Sequence, residues 1–183
     1  TSAAHIKEAI ENAFPVLAEY RSQGLIKAVG IGINYVEPAL EIMKNTDLDI
    51  ALIAGRYTLL DQIAHNELFP YALAHNIDIT MGGVLNSGVL ANPVAGATYN
   101  YLPASDEIIS RAARICNFLK ERNIPLISAA LQFPLRHPAV TSVLTGPRNV
   151  KELLSNVDDF NRELPIDIWA ELEDANLIER IPV

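Results

Sequence analysis

A chain of 183 residues, half of them hydrophobic and one fifth charged, is long enough to bury a single core without disulfide or metal staples. Its net charge of −8, with no Lys/Arg cluster to interrupt it, argues against non-specific binding to DNA, RNA or an anionic membrane. No apolar run approaches the roughly 20 residues of a membrane span, and no signal peptide is expected. The single cysteine, Cys116, lies among apolar residues of helical spacing, which reads as a buried structural thiol in a reducing cytoplasm. Because the chain begins at Thr1 rather than Met, it reads as processed, trimmed or a fragment.

Helical and extended patterns alternate with short connections, the mark of βα repeats and a parallel sheet. A helix is predicted over 3–23, with Ile6, Ile10, Phe14, Leu17 and Tyr20 on one face and Gly24 as its stop. Strands are predicted at 26–31, 50–54, 77–81 and 141–144. Their short, β-branched apolar cores suit burial on both faces. Helices are predicted at 37–44, 61–75 and 105–122, the last capped by Ser105 and followed by Asp106 and Glu107. Between the third strand and that helix lies the long irregular stretch 91–103, rich in Asn, Ala, Gly and Pro, of the kind that serves as a lid or mobile segment. A further helical piece, 125–133, starts with a tolerated Pro and is broken by Pro134. The final helix, 166–178, carries Trp169 and Leu172 on its inner face.

The richest stretch follows the last strand. The apolar run from Val140 to Leu144 ends in Thr145-Gly146-Pro147-Arg148, and a helix opens at Asn149, which forms a capping box with Glu152. Free amides and the positive end of a helix dipole thus meet an arginine at the strand's mouth, a place for a phosphate. The plainer alternative is a solvated Arg148 beside an ordinary cap. His5, His65, His75 and His137 show no ligand spacing, so no metal is expected. Asp158, Asp159, Glu171 and Glu173 read as solvated helix faces. Gly30-Ile31-Gly32 lacks the third glycine of a Rossmann fingerprint.

Three runs recur in order in a known family: Gly24-Leu25-Ile26-Lys27-Ala28-Val29-Gly30-Ile31-Gly32-Ile33-Asn34, then Ala54-Gly55-Arg56-Tyr57-Thr58-Leu59-Leu60-Asp61-Gln62, then Gly82-Gly83-Val84-Leu85-Asn86-Ser87-Gly88-Val89-Leu90. With the His137-Pro138-Ala139-Val140 to Asn156 stretch, they resemble the aldo-keto reductases, in the branch that holds the L-fucose (D-threo-aldose) and pyridoxal dehydrogenases. The similarity covers almost the whole chain. Four strand units are half of the eight that a closed barrel of about 250 residues needs. The resemblance aligns them with strands 5 to 8, so the expected fold is α/β, the C-terminal half of a (β/α)8 TIM barrel, as one domain over 1–183.

The resemblance implies a tyrosine, lysine, histidine and aspartate tetrad on the first four strands, in which the tyrosine acts as general acid/base while hydride passes to or from the nicotinamide. None of the four has a matching position here, and no catalytic residue is assigned; Tyr57 and His5 lie in the wrong motifs. The cofactor-binding residues it implies are Asn34 for the nicotinamide carboxamide, Gly83, Leu85 and Ser87 around the pyrophosphate, and Gly146, Pro147, Arg148, Glu152 and Asn156 at the adenosine end. Relatives often place a glutamine at Ala54 and a stacking tyrosine at Gly82, so the ring is positioned differently here. NADPH-specific relatives often carry Lys at Gly146 and Arg at Glu152. A carboxylate would repel a 2′-phosphate, which favours NAD, with NADP possible through Arg148.

The resemblance thus implies a cytoplasmic NAD(P)-dependent oxidoreductase that oxidises an aldose such as L-fucose to its lactone, this chain supplying the cofactor half. The alternatives are a pyridoxal 4-dehydrogenase and a non-catalytic half barrel that assembles with a partner chain. Expected partners are an aldose or aldehyde substrate, the missing N-terminal half and, as a possibility, further copies in a homo-oligomer. A half barrel leaves two strand edges and an interior to be covered. The substrate pocket is expected along 91–103 and the C-terminal segment.

Overall fold

A computed structural model describes residues 3–180. Its sheet is built from β1 (Gly30–Ile33), β2 (Ile50–Ala54), β3 (Asp78–Gly82) and, after a small hairpin of β4 (Thr98–Tyr99) and β5 (Leu102–Pro103), β6 (Val140–Val143). The spatial order is β1-β2-β3-β6 and every pairing in it is parallel. Eight α-helices are described: α1 (Ala3–Glu8), α2 (Phe14–Ser22), α3 (Val36–Asn45), α4 (Leu68–Ala74), α5 (Asp106–Lys120), α6 (Leu126–Gln132), α7 (Val150–Phe160) and α8 (Ile168–Asp174). Neighbouring parallel strands joined through helices are four consecutive staves of a (β/α)8 barrel, so the half-barrel expectation stands.

The sheet is buried on one side. Ala51, Ile53, Ile79, Met81 and Val140 sit in one core with Leu40 and Met43 of α3, Phe69 of α4 and Ile115 of α5. In the opposite registers, Gly30, Gly32, Ile50 and Ser142 are exposed and Leu52 and Thr80 half-buried. The expected burial on both faces is therefore corrected: among the described residues, nothing covers the face that a whole barrel turns inward. Thr80 and Ser142 hydrogen-bond across it, Oγ1 to Oγ, at 2.8 Å.

Strand β1 begins at Gly30 rather than at 26, because the Val29 amide is taken by the Asp49 carboxylate at 2.6 Å and so leaves the ladder. Asp49 also receives Arg21 at 2.6 Å, and these two donors hold its carboxyl below the usual carboxylate range. Pairing at Gly30 is intimate, since a Cβ there would lie 2.6 Å from both the Cγ2 and the carbonyl oxygen of Ile50. Gly30→Ala is therefore expected to pry β1 from β2 and cost about 1–3 kcal/mol. An unchanged urea midpoint would sink that expectation.

The long first helix contains a π-turn at Ala9–Ala13, where Pro15 has no amide to return to Glu11. Ile6 is buried and Ile10, Phe14 and Leu17 pack on the core as expected, but Tyr20 is exposed. The helix predicted over 61–75 starts only at Leu68. Thr58 Oγ1 accepts the amides of Leu60 and Asp61, and Asp61 Oδ1 accepts that of Ile63, so side chains bind the backbone into turns instead. The stretch 91–103 is not wholly irregular, because it carries the β4–β5 hairpin.

The C-terminal helix is shorter than predicted, and a clasp fixes it. Leu172 is buried while Trp169 is half-buried against Phe133 at 5.9 Å. Glu173 is not solvated: Arg136 Nη2 donates to it at 2.7 Å with both side chains 15 % exposed, and the guanidinium lies 5.4 Å from the Trp169 ring. Glu171 receives Arg122 at 2.6 Å, and Asp159 accepts the buried Ser128 hydroxyl at 2.6 Å. Asp158 remains exposed as expected, and Cys116 is half-buried rather than buried.

Candidate cofactor-binding site

At the C-terminal end of β3 the chain leaves the sheet through Gly83, whose backbone lies at φ +62°. A tight turn follows in which Asn86, Ser87 and Gly88 are all left-handed, at φ 44°, 58° and 108°. The Val84 and Leu85 amides donate to no backbone carbonyl among the described residues. Successive backbone amides in such a turn form a concavity suited to an anion. Facing it, β6 ends and Gly146-Pro147-Arg148 lead into α7, whose first turn brings its own amides.

Between them lies a cleft of about 670 Å³, lined by Gly83, Leu85, Ser87, Gly146, Pro147, Arg148, Glu152 and Asn156, with Ile127 and Ser155 at its side. Eight of the nine residues named from the sequence thus converge. Asn34, the ninth, sits just past β1 in a neighbouring recess of about 130 Å³, together with Ala54, Gly55, Arg56 and Tyr101. Gly83 and Ser87 line both spaces, so the two form one path along the strand ends. None of the described residues beyond Asn156 lines either, whereas Ala91 of the 91–103 stretch lines the cleft and Asn100 and Tyr101 the recess.

The helix start is capped as predicted on one side, with Asn149 Oδ1 accepting the Glu152 amide at 2.9 Å. The reciprocal bond differs: Glu152 accepts the amide of Arg148 at 2.8 Å, not that of Asn149. The Arg148 guanidinium also grips Glu152, with Nη2 to Oε1 at 2.6 Å and Nε to Oε1 at 3.0 Å. This pair lowers the Glu152 carboxyl and raises the guanidinium. Arg148 is therefore exposed to solvent but not unpaired: a carboxylate already fills its anion-binding fork.

Arg56, unassigned from the sequence, organises the recess. Its Nε donates to the Asn34 carbonyl at 2.9 Å, Nη1 to Asp61 at 2.8 Å and Nη2 to the Asn100 side-chain oxygen at 2.7 Å. Tyr99 leans on the same Asp61 at 3.4 Å, and burial pushes its phenol above the usual range. Only the lone charge inside an otherwise uncharged Ala54-to-Leu60 run hinted at this role. Tyr57 has no part in the site, being fully buried against Phe69 and Phe133 at centroid distances of 4.8 and 4.9 Å. Burial raises its hydroxyl, which has no hydrogen-bond partner among the described residues. Among the described residues, no group of three or more His, Cys, Asp or Glu side chains has the geometry to hold a metal ion, and no helix is long and apolar enough to cross a membrane.

Comparison with known proteins places the chain in a family and a fold. The Aldo/keto reductase family model matches residues 3–177. A pyridoxal 4-dehydrogenase of Microbacterium luteolum is 40 % identical over 166 residues, 90 % of this chain and 48 % of that protein. A D-threo-aldose 1-dehydrogenase of a Pseudomonas species is 37 % identical over 172 residues, 93 % of this chain and 52 % of that protein. The chain spans about half the length of these curated relatives. In fold, it matches an aldo-keto reductase from Bacillus halodurans in its holo form, at TM-score 0.69 and 20 % identity over 95 % of this chain and 57 % of that one. The β3 and β6 mouths thus belong to a sheet of known architecture, and the chain is a member of the aldo/keto reductase family.

Proposed function

We propose that this chain is the dinucleotide-binding half of an NAD(P)-dependent oxidoreductase, with NAD preferred, whose substrate is an aldose oxidised to its lactone. The observation that carries this reading is the continuous path from the α7 start, past the Gly83–Gly88 turn, to the recess at Asn34. A dinucleotide needs such a path: anion-binding amides in the middle and a pocket at each end. The residues present fit that group. Gly83 adopts a backbone that other residues reach only with strain, and no atom lies within 4 Å of where a Gly146 Cβ would stand, which leaves open space at the adenosine end. When bound, the nicotinamide supplies hydride transfer; the chain's own residues bind, orient and exclude water. Glu152 favours NAD, because its carboxylate already engages Arg148 and would repel a 2′-phosphate.

The acid/base groups are proposed to come from the other half of the barrel, which would also cover the open sheet face and the β6 edge. Leu153, Val157 and Phe160 on α7 are exposed and share a groove with Val143 of β6, which offers that half an apolar seat. A second reading, oxidation of pyridoxal, is favoured by the 40 % identity to a pyridoxal 4-dehydrogenase. The test is calorimetric titration of the native-length protein with NAD and NADP, followed by turnover assays with L-fucose and pyridoxal. NAD is expected to bind in the micromolar to millimolar range usual for such ligands and more tightly than NADP. Absence of binding by either would remove the reading; turnover of pyridoxal alone would replace the aldose.

A further inference from the structure

Tyr101 occupies a position that chemistry would give to glycine. The hairpin β4–β5 turns through Asn100 at φ 49° and Tyr101 at φ 65°, the two left-handed residues of a type I′ pattern. Asparagine is at home there, but an aromatic residue in the second place carries strain. Strain of this kind persists where surroundings over-determine it, and here they do. The Tyr101 amide donates to Ser87 Oγ at 3.1 Å, Thr98 Oγ1 donates to the Ser87 carbonyl at 2.6 Å, and Arg56 holds Asn100 at 2.7 Å. Three independent bonds therefore pin the hairpin tip to the pyrophosphate turn and to the ends of β1 and β2. The ring they present is 82 % exposed, so it is not placed there to fill the core.

The recess beneath has a matching shape and polarity. Ala54, Gly55 and Gly83 offer nothing larger than a methyl group, and Tyr101 is the one aromatic side chain among the residues that line it. Asn34 and Asn86 supply amides; Asn86 is 3 % exposed and its side-chain oxygen has no hydrogen-bond partner among the described residues. A narrow space with small-residue walls, one aromatic face and amide groups suits a planar heterocycle that bears its own amide. We infer that Tyr101 is a ring-positioning residue, packing its aromatic face against the nicotinamide end of the bound dinucleotide, with Arg56 acting through Asn100 to hold it in place. This inference rests on the dinucleotide reading above.

The experiment compares NADH with ADP-ribose, which keeps the pyrophosphate and both riboses but lacks the nicotinamide. Both are titrated calorimetrically into native-length wild-type protein, Tyr101→Gly and Tyr101→Phe, and the melting temperature of each is recorded. Tyr101→Gly is expected to weaken NADH about tenfold and leave ADP-ribose unchanged. Its melting temperature is expected not to fall, because glycine relieves the strained turn. Tyr101→Phe, which keeps the ring, is expected to bind NADH as wild type does. Equal loss for both ligands, or no loss for NADH, overturns the role of Tyr101. Wild-type protein that binds neither ligand overturns the dinucleotide reading itself, and this inference with it.

Discussion

Gly83→Val is expected to weaken NADH binding at least about 30-fold, an energy near 2 kcal/mol. Two costs meet at this residue. A β-branched side chain at φ +62° is strained by about 1–3 kcal/mol. Its Cβ would also stand 3.2 Å from the Gly55 amide nitrogen, which itself donates to the Gly82 carbonyl at 2.9 Å. The chain escapes both only by opening the turn, and Gly83 lines the cleft and the recess alike, so contacts at both would suffer together. Gly146→Ala is the comparison, because that glycine lines the same cleft with no atom within 4 Å of its Cβ position. It is expected to change affinity by less than about threefold. Titration of both variants decides the matter: equal effects would show that cleft volume matters and backbone conformation does not.

Phe133→Ala is expected to lower the unfolding free energy by about 3–5 kcal/mol. Phe133 is fully buried at the junction of three elements, 4.9 Å from the Tyr57 ring and 5.9 Å from Trp169, with the Arg136 guanidinium 5.8 Å from its face. Removing the ring leaves a cavity and takes from α8 the aromatic contact of Trp169, so buried Ile168 and Leu172 and the Arg136–Glu173 and Arg122–Glu171 pairs would have to hold the helix. A pair that has lost its packing gains water and loses strength. Trp169, the chain's single tryptophan, reports the event directly through its fluorescence during urea unfolding. A loss below about 1 kcal/mol would mean that the aromatic cluster is not the anchor.

The stability contributed by Asp49 carries a sign that follows from its donors. Its folded carboxyl is held below the ordinary value, so the contribution is present above the unfolded value near 3.8 and disappears as pH falls through the lower folded one. Its side chain is 40 % exposed, which keeps the effect small.

Much was legible in the sequence because it rests on local rules or on motif. Strand β2 lies where its apolar β-branched run placed it, Ser105 caps α5 with its oxygen 3.3 Å from the Ile108 amide, and Asn149 caps α7. The half-barrel class followed from four alternating units and the family runs, and eight of the nine residues expected to bind cofactor share one cleft because they occupy the mouths of adjacent strands. What the sequence could not show were outcomes of long-range competition. Asp49 captures the Val29 amide twenty residues away and delays β1, and Thr58 and Asp61 bind amides that a helix would otherwise have used. Arg148 turned from an open phosphate ligand into Glu152's partner because the two stand four residues apart on opposite sides of a helix start. Arg56 and Tyr101 are 45 positions apart, counted from 56 to 101, and only the closing of the hairpin onto the strand ends brings them to one recess. Local propensity and motif thus determined which elements form and which strand mouths carry the cleft; tertiary packing decided which side chains remain free, because a charge or amide goes to whichever partner the fold brings nearest.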